Sequence, residues 1–155
     1  MNIEQELSAE VVSHLDLSSF TQVPSGTPIF EVLNIMRDQQ VSAVLVNKEE
    51  QLAGIFTERD VLTQVADEPS TWKLPVEEIM TASPQTLSPD AAVQEALHLM
   101  NAGHYRNVPV VDGNGGIVGV LSQNSIVKFL TDHYPREIYN LPPDPESMPR
   151  TREGA

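Results

Sequence analysis

The segment GIFTERD, Gly54 to Asp60, holds the residues of this chain best placed to do chemistry. An apolar run ends there, and a helix is expected to begin at the hydroxyl residue Thr57. The first N–H groups of a helix have no partner inside it and the helix dipole adds positive character, so a phosphate can be received at such a start. Thr57 would add a hydroxyl donor. Asp60, one turn further on, could accept both hydroxyls of a ribose, so the two would hold a nucleotide by sugar and phosphate. The same T-x-x-D spacing is that of a helix capping box, with Asp in place of Glu. Ligand contact and capping both stay open, and they are compatible.

Catalysis has no comparable footing. There is no cysteine, no nucleophile elbow, no Walker loop and no HExxH segment. His14, His98 and His133 are dispersed without the spacing of metal ligands. The expectation is a binding protein rather than an enzyme, with no catalytic residue, metal or obligatory cofactor. With 22 acidic residues against 9 Lys and Arg, the formal charge is −13. Such a surface repels nucleic acid and anionic lipid unless a basic cluster is present, and the sequence shows none. No apolar run approaches the roughly 18 to 20 residues of a membrane span. The opening MNIEQELSAEVV lacks the basic and apolar regions of a secretory signal. A cytoplasmic location is expected.

A repeat supplies the elements that would position these residues. Ile29 to Val65 lines up with Val93 to Phe129, pairing Met36 with Met100, Val46 with Val111, Gly54 with Gly119 and Thr57 with Ser122. The alignment places one inserted residue near Ala102 to Tyr105. In each copy, apolar residues at helical spacing (Ile29, Val32, Leu33, Met36; Val93, Ala96, Leu97, Met100) precede two short apolar runs separated by a polar turn. A second helix follows at Thr57 or Ser122, and a first strand is expected near Thr21 to Val23 and Gln85 to Leu87. The fold class is α+β of α/β type, two βαββα repeats sharing a core. The divisions expected are an N-terminal helix (1–15, helical from Glu4 to Leu15), repeat 1 (16–66), a linker (67–79), repeat 2 (80–132) and an extended tail (133–155) with five of the 12 prolines. Ile138, Tyr139 and Leu141 of the tail could dock on the body or a neighbouring subunit.

The RNVPVVD run at 106–112, the G-h-h-T/S-x-x-D/S turn in both copies and the repeat itself resemble the tandem CBS repeats of a Bateman module, over roughly residues 15 to 132. The resemblance implies a pseudo-twofold pair whose clefts bind adenine ligands such as AMP, ADP, ATP or S-adenosylmethionine, and a homodimer of two modules. It puts Thr57 and Asp60 on phosphate and ribose and Ile55 against the base. Thr81, Ala82 and Ser83 would complete the cleft with Tyr105 and Arg106, whose guanidinium suits a phosphate, and His104 would assist. The bland alternatives are a solvated turn for Arg106 and a core aromatic for Tyr105. The second copy has Ser125 where Asp60 stands, so a second cleft with Ser19, Ser42, Ser122 and Ser125 is the weaker site. The implied function is an adenine-nucleotide sensor acting in trans on an effector protein. The alternatives are a ligand-free dimeric scaffold and an S-adenosylmethionine binder.

Overall fold

The computed structural model describes residues 3–134. The expected docking residues Ile138, Tyr139 and Leu141 lie outside that range. In chain order the elements are α1 (Ile3–Ala9), β1 (Thr21–Pro24), α2 (Ile29–Gln39), β2 (Ala43–Lys48), β3 (Gln51–Thr57), α3 (Glu58–Asp60), β4 (Thr81–Ala82), α4 (Val93–Gly103), β5 (Asn107–Val111), β6 (Ile117–Ser122) and α5 (Gln123–His133). One sheet has the order β1-β2-β3-β4 and the other pairs β5 with β6. The architecture is mixed α and β, as expected. The expected helix over Glu4–Leu15 stops at Ala9, and a separate 3₁₀ turn covers Val12–His14.

Alternation along the strands sorts side chains between two layers. Val44, Val46 and Phe56 pack with Val32 and Met36 of α2 in the core of the first repeat. On the opposite faces, Ala43, Leu45 and Ile55 meet Val120, with Phe20 and Ile117 against them, and this cluster joins the two repeats. The second repeat has its own core of Val93, Met100, Val108, Leu121 and Phe129.

Strand register relocates the inserted residue. Ala43 pairs with Thr57, and Asn107 with Ser122, so Ala43 and Asn107 are equivalent, as are Ser42 and Arg106. The left-handed C-caps Gln40 (φ 53°) and His104 (φ 56°) agree with this. The extra residue therefore sits in the longer hairpin turn at 112–116, not near Ala102 to Tyr105. A surface turn absorbs an insertion without disturbing core packing.

The expected strand at Gln85–Leu87 is only a single parallel bridge, Leu87 to Val110. Leu87 N–H donates to Pro109 C=O (2.9 Å) and Val111 N–H to Leu87 C=O (3.0 Å). Extending that ladder would require an N–H from residue 109, which proline lacks. Leu45 holds the equivalent place in the first repeat, and there the parallel pairing runs over four residues.

The two repeats exchange their leading segments. Val12 N–H donates to Ala91 C=O and Val76 N–H to Thr27 C=O, both at 2.8 Å. Leu7, Val12 and Leu15 thereby fill the second repeat's core, while Val76 fills the first. Further along, β4 pairs with β3 (Gly54↔Ala82, Ile55↔Thr81), and Val120 N–H donates to Leu17 C=O at 3.0 Å. Glycine stands at both crossings for a steric reason. A Cβ on Gly54 would lie 2.5 Å from Met80 Sδ and 2.8 Å from Thr81 O, and one on Gly119 would lie 2.5 Å from Leu17 O.

Because the obstructing atoms include backbone carbonyls, Gly54→Ala and Gly119→Ala must push a crossing segment off its sheet. Each is expected to cost about 1–3 kcal/mol, read as a lower urea midpoint with an unchanged slope. An unaltered midpoint for both variants would refute the steric account.

Candidate functional site

A cleft of about 520 Å³ opens between the repeats where β3 and β6 run into their following helices. Ile55, Thr57 and Asp60 line it from the first repeat, with Thr81 and Ser83 from the exchanged segment. Tyr105 and Arg106 line it from the second repeat. Ala82, expected to complete the cleft, is absent from its lining; it pairs with Gly54 of β3 between Thr81 and Ser83. His104 is exposed, caps α4 in left-handed conformation, and is absent from the lining.

The four serines expected in a second cleft divide. Ser42 and Ser122 line this same cavity, whereas Ser19 and Ser125 do not. Ser125 is buried, its N–H donating to Ser122 Oγ (3.1 Å) and its hydroxyl 2.9 Å from that oxygen. It serves as the helix cap partner of Ser122.

Asp60 is 9% exposed, and its carboxylate is already engaged. Thr57 N–H donates to Oδ2 at 2.9 Å, and the Thr57 hydroxyl reaches the same oxygen at 3.5 Å. Gln64 Nε2 donates to Oδ1 at 3.3 Å. The capping arrangement read from T-x-x-D is therefore formed. Burial pushes the Asp60 carboxyl above its ordinary value, against the opposing pull of the Thr57 and Gln64 hydrogen bonds and of Arg59.

The helix starts are less open than their sequence suggests. Glu58 N–H donates to Ser42 C=O (3.2 Å), and Gln123 N–H donates to Arg106 C=O (3.0 Å). These equivalent bonds tie the residue before each β-hairpin to the helix after it, and so fix the Arg106 backbone at the cleft. Any anion there would rely more on side chains. The helix after Thr57 also departs from the expected α-form. Three α-helical residues give way to a π turn at Val61–Val65, closed by Ala66 N–H to Val61 C=O at 2.8 Å. The Trp72 indole N–H donates to Val65 C=O at 3.0 Å, so the linker clamps that turn. Its counterpart α5 is α-helical over 11 residues.

Tyr105 both lines the cleft and packs on the second core, so its two readings coexist. Its ring lies over Gly103, where a Cβ would fall 2.2 Å from Tyr105 Cε2. Arg59 was missed. It lines the cavity with Glu58, and its presence inside GIFTERD, next to Asp60, was the available signal.

The chain matches the CBS domain over residues 12–67 and 76–132. It is 37% identical over 115 residues to the CBS domain-containing protein CBSCBSPB5 of Arabidopsis thaliana, covering 65% of this chain and 20% of that protein. The chain thus spans about a fifth of the length of such curated relatives. Among solved structures, the CBS-domain pair of protein MJ0100, in complex with 5′-methylthioadenosine and S-adenosyl-L-methionine, is 26% identical with a TM-score of 0.67, covering 78% of this chain and 99% of that one. CBSX2 in complex with AMP shares the fold at 21% identity with a TM-score of 0.70, covering 79% and 96% of the two chains.

The folded state holds the Asp60 proton more tightly than the unfolded chain does. Its contribution to stability therefore declines as pH rises from the ordinary carboxylate value of 3.8 through the raised folded value, and is level above that. Relative to Asp60→Asn, which keeps an acceptor oxygen for Thr57 N–H but cannot ionise, the native protein should lose stability across that interval. Asp60→Ala, which removes the cap, is expected to cost about 1 kcal/mol at neutral pH. Urea denaturation at a series of pH values checks both, and a native protein that gains on Asp60→Asn with rising pH would reverse the assignment.

Proposed function

The chain belongs to the CBS-domain family, and from that premise we propose that it is a regulatory module binding an adenosine-containing small molecule in the cleft between its repeats. One observation carries the reading: both repeats build a single cavity, with Asp60 on one wall and Arg106 on the other. A ligand spanning that cavity binds one relative orientation of the repeats better than others, and its occupancy biases their arrangement by that difference in affinity. An effector protein reading the arrangement would receive the signal.

The finer assignment is an adenine nucleotide, AMP, ADP or ATP. Asp60 would hold the ribose, Thr57 and Arg106 the phosphate, and Ile55 the base, with Thr81 and Ser83 closing the side. The MJ0100 pair, bound to two adenosyl compounds, supports the adenosyl class and keeps S-adenosylmethionine as an alternative. We read the site as binding rather than catalytic because Asp60, the buried carboxylate of the described residues, is committed to the helix cap. No helix among the described residues is long and apolar enough to cross a membrane, and we place the protein in the cytoplasm. Homodimer formation is supported by Leu62 (75% exposed) and Val127 (57% exposed), equivalent apolar residues on the helices following β3 and β6. Repeated apolar positions of this kind suit a self-complementary interface.

A second reading is a ligand-free scaffold, and the fully engaged Asp60 cap favours it. Thermal unfolding with AMP, ADP, ATP and S-adenosylmethionine separates the two, since a ligand at 100 times its Kd adds about 2.7 kcal/mol. Stabilisation by at least one of these is expected, largely lost in Asp60→Ala and kept in Ser125→Ala. No response to any of the four would favour the scaffold, and equal losses in the two variants would show the ribose contact to be misplaced.

A further inference from the structure

The described residues include three arginines, and two of them, Arg59 and Arg106, line the one cleft. Arg59 comes from the first repeat and Arg106 from the second. Neither makes a direct ion pair, since the ion pairs among the described residues are His14–Glu10 and Arg37–Asp38, although Arg59 attracts the Asp60 carboxyl at longer range. Arg59 lies between Glu58 and Asp60 in sequence, and consecutive helix residues project about 100° apart, so neither neighbour is a contact partner of its guanidinium. Asp60 is in any case bonded to Thr57 and Gln64. Two guanidiniums outside any direct ion pair on one cavity, in a chain of net charge −13, form a local receptor for more than one anionic group.

The pseudo-symmetry makes this arrangement one-sided. Register equates Arg106 with Ser42, and Thr57 with Ser122, so that Arg59 corresponds to Asn124 and Asp60 to Ser125. The half of the cleft that has the carboxylates Glu58 and Asp60 has both cations, and the other half has hydroxyls and the amides of Gln123 and Asn124. A mononucleotide with Asp60 on its ribose would present its first phosphate to Thr57 and Arg106. Arg59, exposed at the start of α3, is then left for whatever extends beyond that phosphate.

Resting on the reading of the cleft as an adenosine site, we propose that Arg59 and Arg106 together select a di- or triphosphate at the 5′ end of the ligand over a monophosphate, a thioether or a sulfonium. A sulfonium carries positive charge, which two guanidiniums oppose.

Calorimetric titration of the full chain with adenosine, AMP, ADP, ATP and S-adenosylmethionine, in magnesium-free buffer of fixed ionic strength, tests the assignment. ATP and ADP should bind at least about tenfold tighter than AMP, and inorganic tripolyphosphate should compete with ATP. Arg59→Ala should remove most of that preference, and the tripolyphosphate competition, while changing AMP and adenosine affinity by less than about threefold. Arg106→Ala should weaken AMP, ADP and ATP alike. An unchanged unfolding midpoint for ligand-free Arg59→Ala would show that its fold is intact, as expected for an exposed side chain. AMP binding as tightly as ATP, or Arg59→Ala weakening all ligands equally, would overturn the selection while leaving the adenosine site standing. Failure of adenosine and every nucleotide to bind would remove both.

Discussion

The reciprocal exchange of leading segments is the constraint on which the rest of the structure depends. Neither repeat completes its own core: Val12 and Leu15 lie in the second repeat's cluster, and Val76 lies in the first. The exchanged chain then runs along the partner sheet so closely that only glycine fits at Gly54 and Gly119. This closeness brings Thr81 and Ser83 into the cleft beside Ile55 and Thr57. The cavity is a by-product of the exchange, and the pairing of β3 with β4 anchors the exchanged segment that forms one side of it. The interface cluster of Leu45, Ile55 and Val120 supplies the apolar contact that holds the halves in register.

Much of this was legible in the sequence because a repeat displays the same periodicities twice. The opening helices, the hairpins and the α+β class follow from alternation and helical spacing. What alignment could not decide was where one residue had been inserted, since Ala102 to Tyr105 and the turn at 112–116 tolerate it equally well as strings of letters. Strand pairing decides it and makes Ser42 the counterpart of Arg106. The short pairing at Leu87 was readable in principle from Pro109, since a missing N–H ends a parallel ladder. The exchange itself was hidden, because an apolar residue such as Val12 carries no mark of which core it will enter.

The site was legible in its residue types more than in their commitments. Thr57 and Asp60 suggested both a cap and a ligand contact, and the structure forms the cap. Ser19 and Ser125 looked like site residues by equivalence, but burial and the Ser122 bond take Ser125 out of reach. The cleft is also chemically lopsided. Divergence of the copies left carboxylate and guanidinium chemistry in one half and neutral hydrogen-bonding groups in the other, so backbone symmetry does not extend to electrostatics. The π turn after Asp60 adds to that asymmetry, since the equivalent stretch of α5 keeps regular helical bonding. π turns recur at functional sites.

The exchange also orders events during synthesis. Leu7, Val12 and Leu15 are synthesised well before Val93, Val108 and Phe129, the residues of the cluster that buries them. The first repeat can close once Val76 is available, while Leu7, Val12 and Leu15 wait for the second repeat. Contacts so distant in sequence form late, and waiting apolar surface invites association between nascent chains. A protein built this way gains its shared cavity at the expense of a vulnerable interval before the second repeat is synthesised.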